Sequence, residues 1–208
     1  MRTIKLTFAV CGIAFLAACN AVKIAETELP VTAEAVQRDY RVADLNIEVS
    51  RDLKVSEANL YFPIADIVWR AEPAGERYAQ VERVFADGMG FGISQLRGSQ
   101  PVVVDIDVTR FHSLTEKARY SVGGVHSIKF HMTVRDAAMG QIIEPRRYIE
   151  ADFTAYGGAE GIAAEARGET QRVRITRHLA GVIQRELMSP TDWQSAKAAM
   201  EVANAAAL

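Results

Sequence analysis

The chain has 208 residues with 24 basic and 26 acidic side chains and a mean hydropathy at zero, enough apolar material for an ordinary hydrophobic core. Its net charge of −2 argues against nucleic acid as a partner. Only two cysteines, Cys11 and Cys19, are present, which excludes a cysteine-rich metal site or a disulfide framework.

The amino terminus has the three-part layout of a secretory signal. Arg2 and Lys5 precede an apolar run from Leu6 to Phe15, and the small pair Ala17-Ala18 follows. The run is too short for a permanent transmembrane helix. Leu16-Ala17-Ala18-Cys19 resembles the bacterial lipobox, in which the cysteine sulfur receives a diacylglycerol and the peptide is cut just before it. That resemblance implies a cleaved segment 1–18, an acylated Cys19 and a membrane anchor, with further acylation, such as palmitate, at the new amino terminus. The alternatives are a plain signal peptide with an incidental cysteine and an amino-terminal helix that stays attached. Asn20 in the place where aspartate favours inner-membrane retention leans towards the outer membrane, its inner leaflet facing the periplasm. Each buried methylene contributes about 0.8 kcal/mol, so two or more chains give stable attachment. Removing 1–18 takes away Arg2 and Lys5 and no acid, moving the net charge from −2 to −4, and leaves no free thiol.

Residues 19–39 carry few large apolar side chains and read as a lipidated tether. From Tyr40, the residues Val42, Leu45, Ile47 and Val49 alternate as in a strand, with a slip at Ala43-Asp44. A loop follows with Tyr61-Phe62-Pro63 and a short extended piece, Asp66-Ile67-Val68-Trp69-Arg70. Beyond Pro73-Ala74-Gly75, the spacing of Tyr78, Val81, Phe85, Met89 and Leu96 predicts a helix that frays near Gly88 to Gly92. Val102, Val104, Ile106 and Val108 form one face of a half-buried strand, with Asp105 and Asp107 on the other.

Leu114 to Val125, ending in Gly123-Gly124, reads as a mobile connection. His126 to Arg135 alternates again, with Ile128, Phe130, Met132 and Val134 inward, and Asp136 to Gly140 is a turn into a third strand bearing Ile149, Ala151 and Phe153. A second helix is predicted from Gly168 to Leu187, and Ser189-Pro190 starts a tail helix over 189–208 carrying Trp193. The expected body, 40–188, is a single α+β domain. Its mixed or antiparallel sheet has about four strands, two helices pack on one face, and a C-terminal helix follows.

The lipobox, tether, helix before a valine-rich strand, glycine-bearing loop and closing helix resemble small envelope lipoproteins of the transporter-auxiliary and outer-membrane-assembly type. They are also similar to an uncharacterised alphaproteobacterial lipoprotein family with a segment like Asp66 to Arg70 before its first helix. This resemblance implies a protein that binds an envelope partner or lipid, does no chemistry and needs no cofactor.

Other chemistry is weaker. Asp87-Gly88-Met89-Gly90-Phe91-Gly92 lacks the dinucleotide spacing and reads as helix termination or close packing. His126 and His131 point to opposite strand faces, while His112 and His178 are isolated, so no metal site is expected. Asp105 and Asp107 share a face and are the pair an envelope hydrolase would use, although a wet strand face carries acids anyway. Arg146-Arg147, Arg172, Arg174, Arg177 and Arg185 form a basic region able to face anionic lipid headgroups. Trp69 with Arg70, and Tyr61-Phe62, are the candidate interaction surface.

Overall fold

The computed structural model describes residues 38–206; the segment 1–18, Cys19 and nearly all of the tether lie outside the described residues. Strand β1 (Tyr40–Val49) is followed by the two-residue β2 (Ile67–Val68), then helix α1 (Arg77–Ile93) and strand β3 (Gln100–His112). β1 and β3 pair in parallel, and their register shifts between Val42 and Asp44. The slip in the sequence alternation is therefore a bulge, which lets Val42 and Leu45 keep to the covered side.

Helix α1 is capped by Glu76, whose carboxylate accepts from the Ala79 N–H at 2.7 Å. It does not fray at its glycines but runs through them to Ser94. Helix α4 (Gln171–Leu187) supplies the reason. A Cβ on Gly88 would lie 2.7 Å from the Thr176 carbonyl oxygen, and one on Gly92 would lie 2.5 Å from that of Ala180. Gly88 and Gly92 are four residues apart, on one helical face, and make a flat strip on which the two backbones meet. Positions 88 and 92 face 176 and 180 in the same order, so the helices run parallel. Glycine costs a helix about 1 kcal/mol per position relative to alanine, and here that cost is offset by close contact.

Strands β4 (Gly124–Asp136) and β5 (Ile142–Glu150) complete an antiparallel meander with β3, giving the order β1-β3-β4-β5. Their turn is set by Asp136, whose carboxylate accepts from the N–H groups of Ala138 and Met139, and by Gly140 at φ +71°. The predicted third strand is broken. Asp152 turns its carboxylate to the Ile128 N–H at 2.8 Å, and the chain resumes as β6 (Phe153–Ala155) against the start of β4. With β2 on the far end of β3, the described residues hold six strands, not four.

The helices also exceed the expected number. The connection read as mobile contains α2 (Glu116–Arg119), capped by Thr115, with Leu114 and Ala118 buried. Gly157-Gly158 opens α3 (Gly158–Ala166), and Gly168 at φ +81° closes α3 rather than starting α4, which is capped by Thr170. Helix α5 (Pro190–Ala206) begins where Ser189-Pro190 predicts, with Ser189 Oγ accepting from the Asp192 N–H.

The core lies between the sheet and the α1/α4 pair. Val102, Val104, Ile106, Ile128, Phe130, Met132 and Val134 meet Val81, Phe85, Met89, Ile175, Leu179 and Ile183, all fully or almost fully buried. At the end where the chain enters, Arg38 makes a two-pronged ion pair with Glu144 at 2.9 and 3.0 Å, and the Tyr40 hydroxyl donates to the same carboxylate. Burial, followed by the neighbouring Glu144 charge, pushes the Tyr40 hydroxyl up to about 12.

Candidate functional site

The opposite end of the sheet is built differently. β3 has 13 residues and thus spans about 40 Å from the entry of the chain to its far end. There, two connections meet: the loop before β2 and the segment between β3 and β4. The Thr115 hydroxyl donates to the Leu60 carbonyl, and the Asn59 side chain accepts from the Lys117 N–H. Two Gly-Gly pairs interlock behind them, since a Cβ on Gly157 would fall 1.9 Å from the Gly123 nitrogen.

Of 14 large apolar side chains exposed among the described residues, seven stand at this end: Leu60, Tyr61, Phe62, Ile64, Tyr120 and Val122 in the two connections and Val125 at the start of β4. Phe62 is 88% exposed and Ile64 is fully so. Such a concentration on an ordered surface is the usual mark of a contact site. Lys117 lies over the Tyr61 ring at 4.6 Å.

The sequence reading of Trp69 and Arg70 as a surface needs correcting. Trp69 is 0% exposed and packs edge-on to Phe111, so its ring is unavailable to a partner. Arg70 acts as a fastener, donating to the Glu116 carboxylate of α2 and to the Glu57 carbonyl, each at 2.5 Å. Glu57 also receives Arg77 of α1 at 2.6 and 2.9 Å, and Arg77 holds its carboxyl below the usual range. The aromatic-arginine pair therefore positions the tip, while Tyr61-Phe62 form part of it. Leu60, Ile64, Tyr120 and Val122 escaped sequence reading because apolar residues in irregular segments carry no periodicity, and Val125 because it stands at the very start of β4.

Between the two connections is a cleft of about 340 Å³, walled by Tyr61, Phe62 and Pro63 on one side and by Gly123, Gly124 and Val125 on the other. Arg110, His112 and Ser127 also line it. The β3–β4 register shifts between Val108 and Arg110, and this bulge moves Phe111 inward and turns Arg110 and His112 outward. Arg110 donates to Ser127 Oγ at 3.3 Å and to the Ala65 carbonyl at 3.2 Å, and His112 Nε2 lies 3.0 Å from that same carbonyl oxygen. Burial, then the Arg110 charge, lowers the His112 pKa.

The proposed acid pair of the hydrolase reading is otherwise occupied. Asp105 is gripped by Arg135 at 2.5 and 2.7 Å and accepts from Asn46, and Arg135 holds its carboxyl below the usual range. Asp107 pairs with Arg146 at 3.1 Å. The two acids share the open face with Glu48 and Thr133, in a depression of about 360 Å³. Most of the basic region is likewise paired with carboxylates. Arg172 meets Glu72 and Asp87, Arg177 meets Glu169, Arg147 meets Glu144 and Glu186, and Arg174 stacks on Tyr156 at 3.5 Å.

The histidines do not converge. His126 is wholly buried beside Phe153, neither ring nitrogen finding a partner among the described residues, whereas His131 lies tilted against Tyr148. His178 stacks on Phe153 and is hydrogen-bonded to the Ala151 carbonyl. The described residues bring together no cluster of three potential metal ligands. Nor is any described helix long and apolar enough to cross a membrane. A second apolar depression, of about 420 Å³, follows the outer side of the α1/α4 seam beside Gly88, Phe91, Val173 and Ala180. It is the valley left by small residues at the helix contact.

A family model described as a family of unknown function (DUF6778) matches residues 40–203, from the first strand into the last helix. The chain belongs to the DUF6778 family. Its solved neighbours are remote. A candidate lipoprotein from Caulobacter crescentus is 15% identical with a TM-score of 0.32, covering 51% of this chain and 79% of its own. A Xanthomonas campestris protein of family DUF330 is 12% identical with a TM-score of 0.44, covering 77% and 91%. No curated protein matches this DUF6778 chain. The tip and its cleft fall wholly inside the matched family region.

Proposed function

We propose that the protein is a lipid-anchored, periplasm-facing accessory of the bacterial envelope that works by binding and not by catalysis. Cys19 carries the anchor, in the inner leaflet of the outer membrane, and residues 19–39 are the tether. The apolar tip carries this reading: seven large apolar side chains held out in solvent by an ordered ionic and hydrogen-bonded frame. Exposed apolar surface costs solubility, and a chain that orders it so firmly has a use for it. The tip lies about 40 Å from the tether end of β3, so an anchored domain offers it to a partner such as an envelope protein complex or a lipid-transport system.

The hydrolase alternative has less support, because Asp105 and Asp107 are each tied to an arginine.

The test is extraction of the mature protein from membranes of its native host, followed by mass measurement and photocrosslinking from position 62. A mass matching an acylated chain beginning at Cys19, with one dominant crosslinked envelope component, is the expected result. An unacylated soluble product would remove the anchor. Loss of a hydrolytic activity on Asp105→Asn would put the enzyme reading first.

A further inference from the structure

The chemistry of the tip cleft specifies a ligand class more narrowly than the exposed apolar surface does. Its walls are aromatic and aliphatic, and none of its lining residues is a carboxylate. Arg110, at its floor, has no ion-pair partner among the described residues; its bonds go to a hydroxyl and a carbonyl. Neither nearby acid forms an ion pair with Arg110: Asp66 accepts from the Lys54 N–H at 2.8 Å, and Asp152 accepts from the Ile128 N–H at 2.8 Å and reaches Arg110 only through the Ser127 hydroxyl. Elsewhere on the surface, Arg135, Arg146, Arg147, Arg172 and Arg177 all have carboxylates, while Arg97 and Arg174, like Arg110, bond to backbone carbonyls. A guanidinium left without one, at the foot of apolar walls, is complementary to an anion that carries an apolar body.

We propose that the cleft holds one anionic amphiphile, with its phosphate or carboxylate on Arg110 and its acyl chain between Phe62 and Val125. This deepens the binding role argued above and rests on it. A volume of about 340 Å³ is at the small end of ligand sites, which suits a head and the first part of one chain. The rest of the chain would run over Phe62 and onto the exposed side chains of the tip. The β3 bulge is what makes the site: without it the alternation of Val104, Ile106 and Val108 would continue inward at 110 and leave the cleft without its cation.

The experiment uses the full chain, purified in a neutral maltoside detergent and offered equal amounts of lysophosphatidylglycerol and lysophosphatidylcholine, with retained lipid counted by native mass spectrometry. The expected result is one bound lipid and a preference of about tenfold for the anionic one, the size of one charge-assisted hydrogen bond. Arg110→Gln should abolish the preference and Arg110→Lys should keep part of it. Val125→Asp, at a half-exposed site where folding is not at stake, should expel the anionic lipid while sparing the melting temperature. Equal retention of both lipids by the native chain overturns the proposal, as does an unchanged preference in both Arg110→Gln and Val125→Asp. Complete displacement by millimolar inorganic phosphate would identify a free-anion site and overturn the acyl part. A protein crosslink from position 62 persisting without any lipid preference would leave the accessory role standing and remove only the ligand.

Discussion

At the α1/α4 seam, glycines bring backbone to backbone, whereas at the tip large apolar side chains stand in water around a cleft walled by Gly123-Gly124. Both regions depart from the rule that a helix or strand buries its large residues. The seam gives up side chains in exchange for contact, and the tip gives up burial while keeping order. The difference teaches which departures serve stability and which serve binding, and it can be tested from both ends.

The largest expected effect is at the seam. Gly92→Ala would place a methyl group 2.5 Å from both the Ala180 carbonyl oxygen and the Ile183 side chain, forcing the helices apart. We expect a loss of about 3 kcal/mol, measured by urea unfolding. Gly90, two residues away, has nothing within 4 Å of its notional Cβ, and Gly90→Ala should stabilise by up to about 1 kcal/mol. Equal effects at the two positions would contradict the close-contact role of Gly92.

Next is the clasp at the tether end. Glu144 is almost fully buried beneath Arg38, Tyr40 and Arg147. Glu144→Ala leaves those groups without their acceptor and should cost about 2 kcal/mol, less than for a sealed pair because Arg38 is partly exposed. If denaturant unfolding shows no loss, the entry of the chain is not fastened as described.

His126 gives the third effect. Burial, followed by the Arg174 charge, lowers its pKa to about 3. The unfolded chain therefore binds a proton that the folded one refuses, and stability should fall as pH drops from about 6.5 towards 3. His178 is shifted in the same direction, chiefly by burial. His126→Phe removes two unpartnered buried nitrogens and should gain about 1 kcal/mol at neutral pH while flattening the acid side of the stability curve. An unaltered acid slope in that variant would assign the titration to other groups.

These positions also show what the sequence could reveal. Strands β3 and β4 were legible because period-two alternation is set by local geometry, and even the bulge in β1 registered as a slipped residue. The inward faces of α1 and α4 were legible for the same reason. Gly88 and Gly92 were ambiguous, since a glycine that ends a helix and one that admits a neighbour look alike until the neighbour is placed. The break before β6 turned on Asp152 reaching a backbone N–H across the sheet. Of the candidate surface, Tyr61-Phe62 were readable as aromatics beside a proline. Arg110 was not, because its orientation depends on a bulge that only pairing with β4 creates.

The smallest expected change in stability is at the tip itself. Phe62→Ser and Ile64→Ser replace side chains that are almost wholly solvated in the folded chain, so unfolding should shift by no more than about 0.5 kcal/mol. The same pair should abolish copurification of the envelope component, since exposed aromatic anchors carry much of a contact's energy. Stability loss and binding loss should therefore separate at Phe62 and coincide at Gly92. A cost above about 1 kcal/mol for the double replacement would mean that these side chains help to hold the two connections together. The tip would then be a satellite of the core, and its apolar surface would need no partner to explain it.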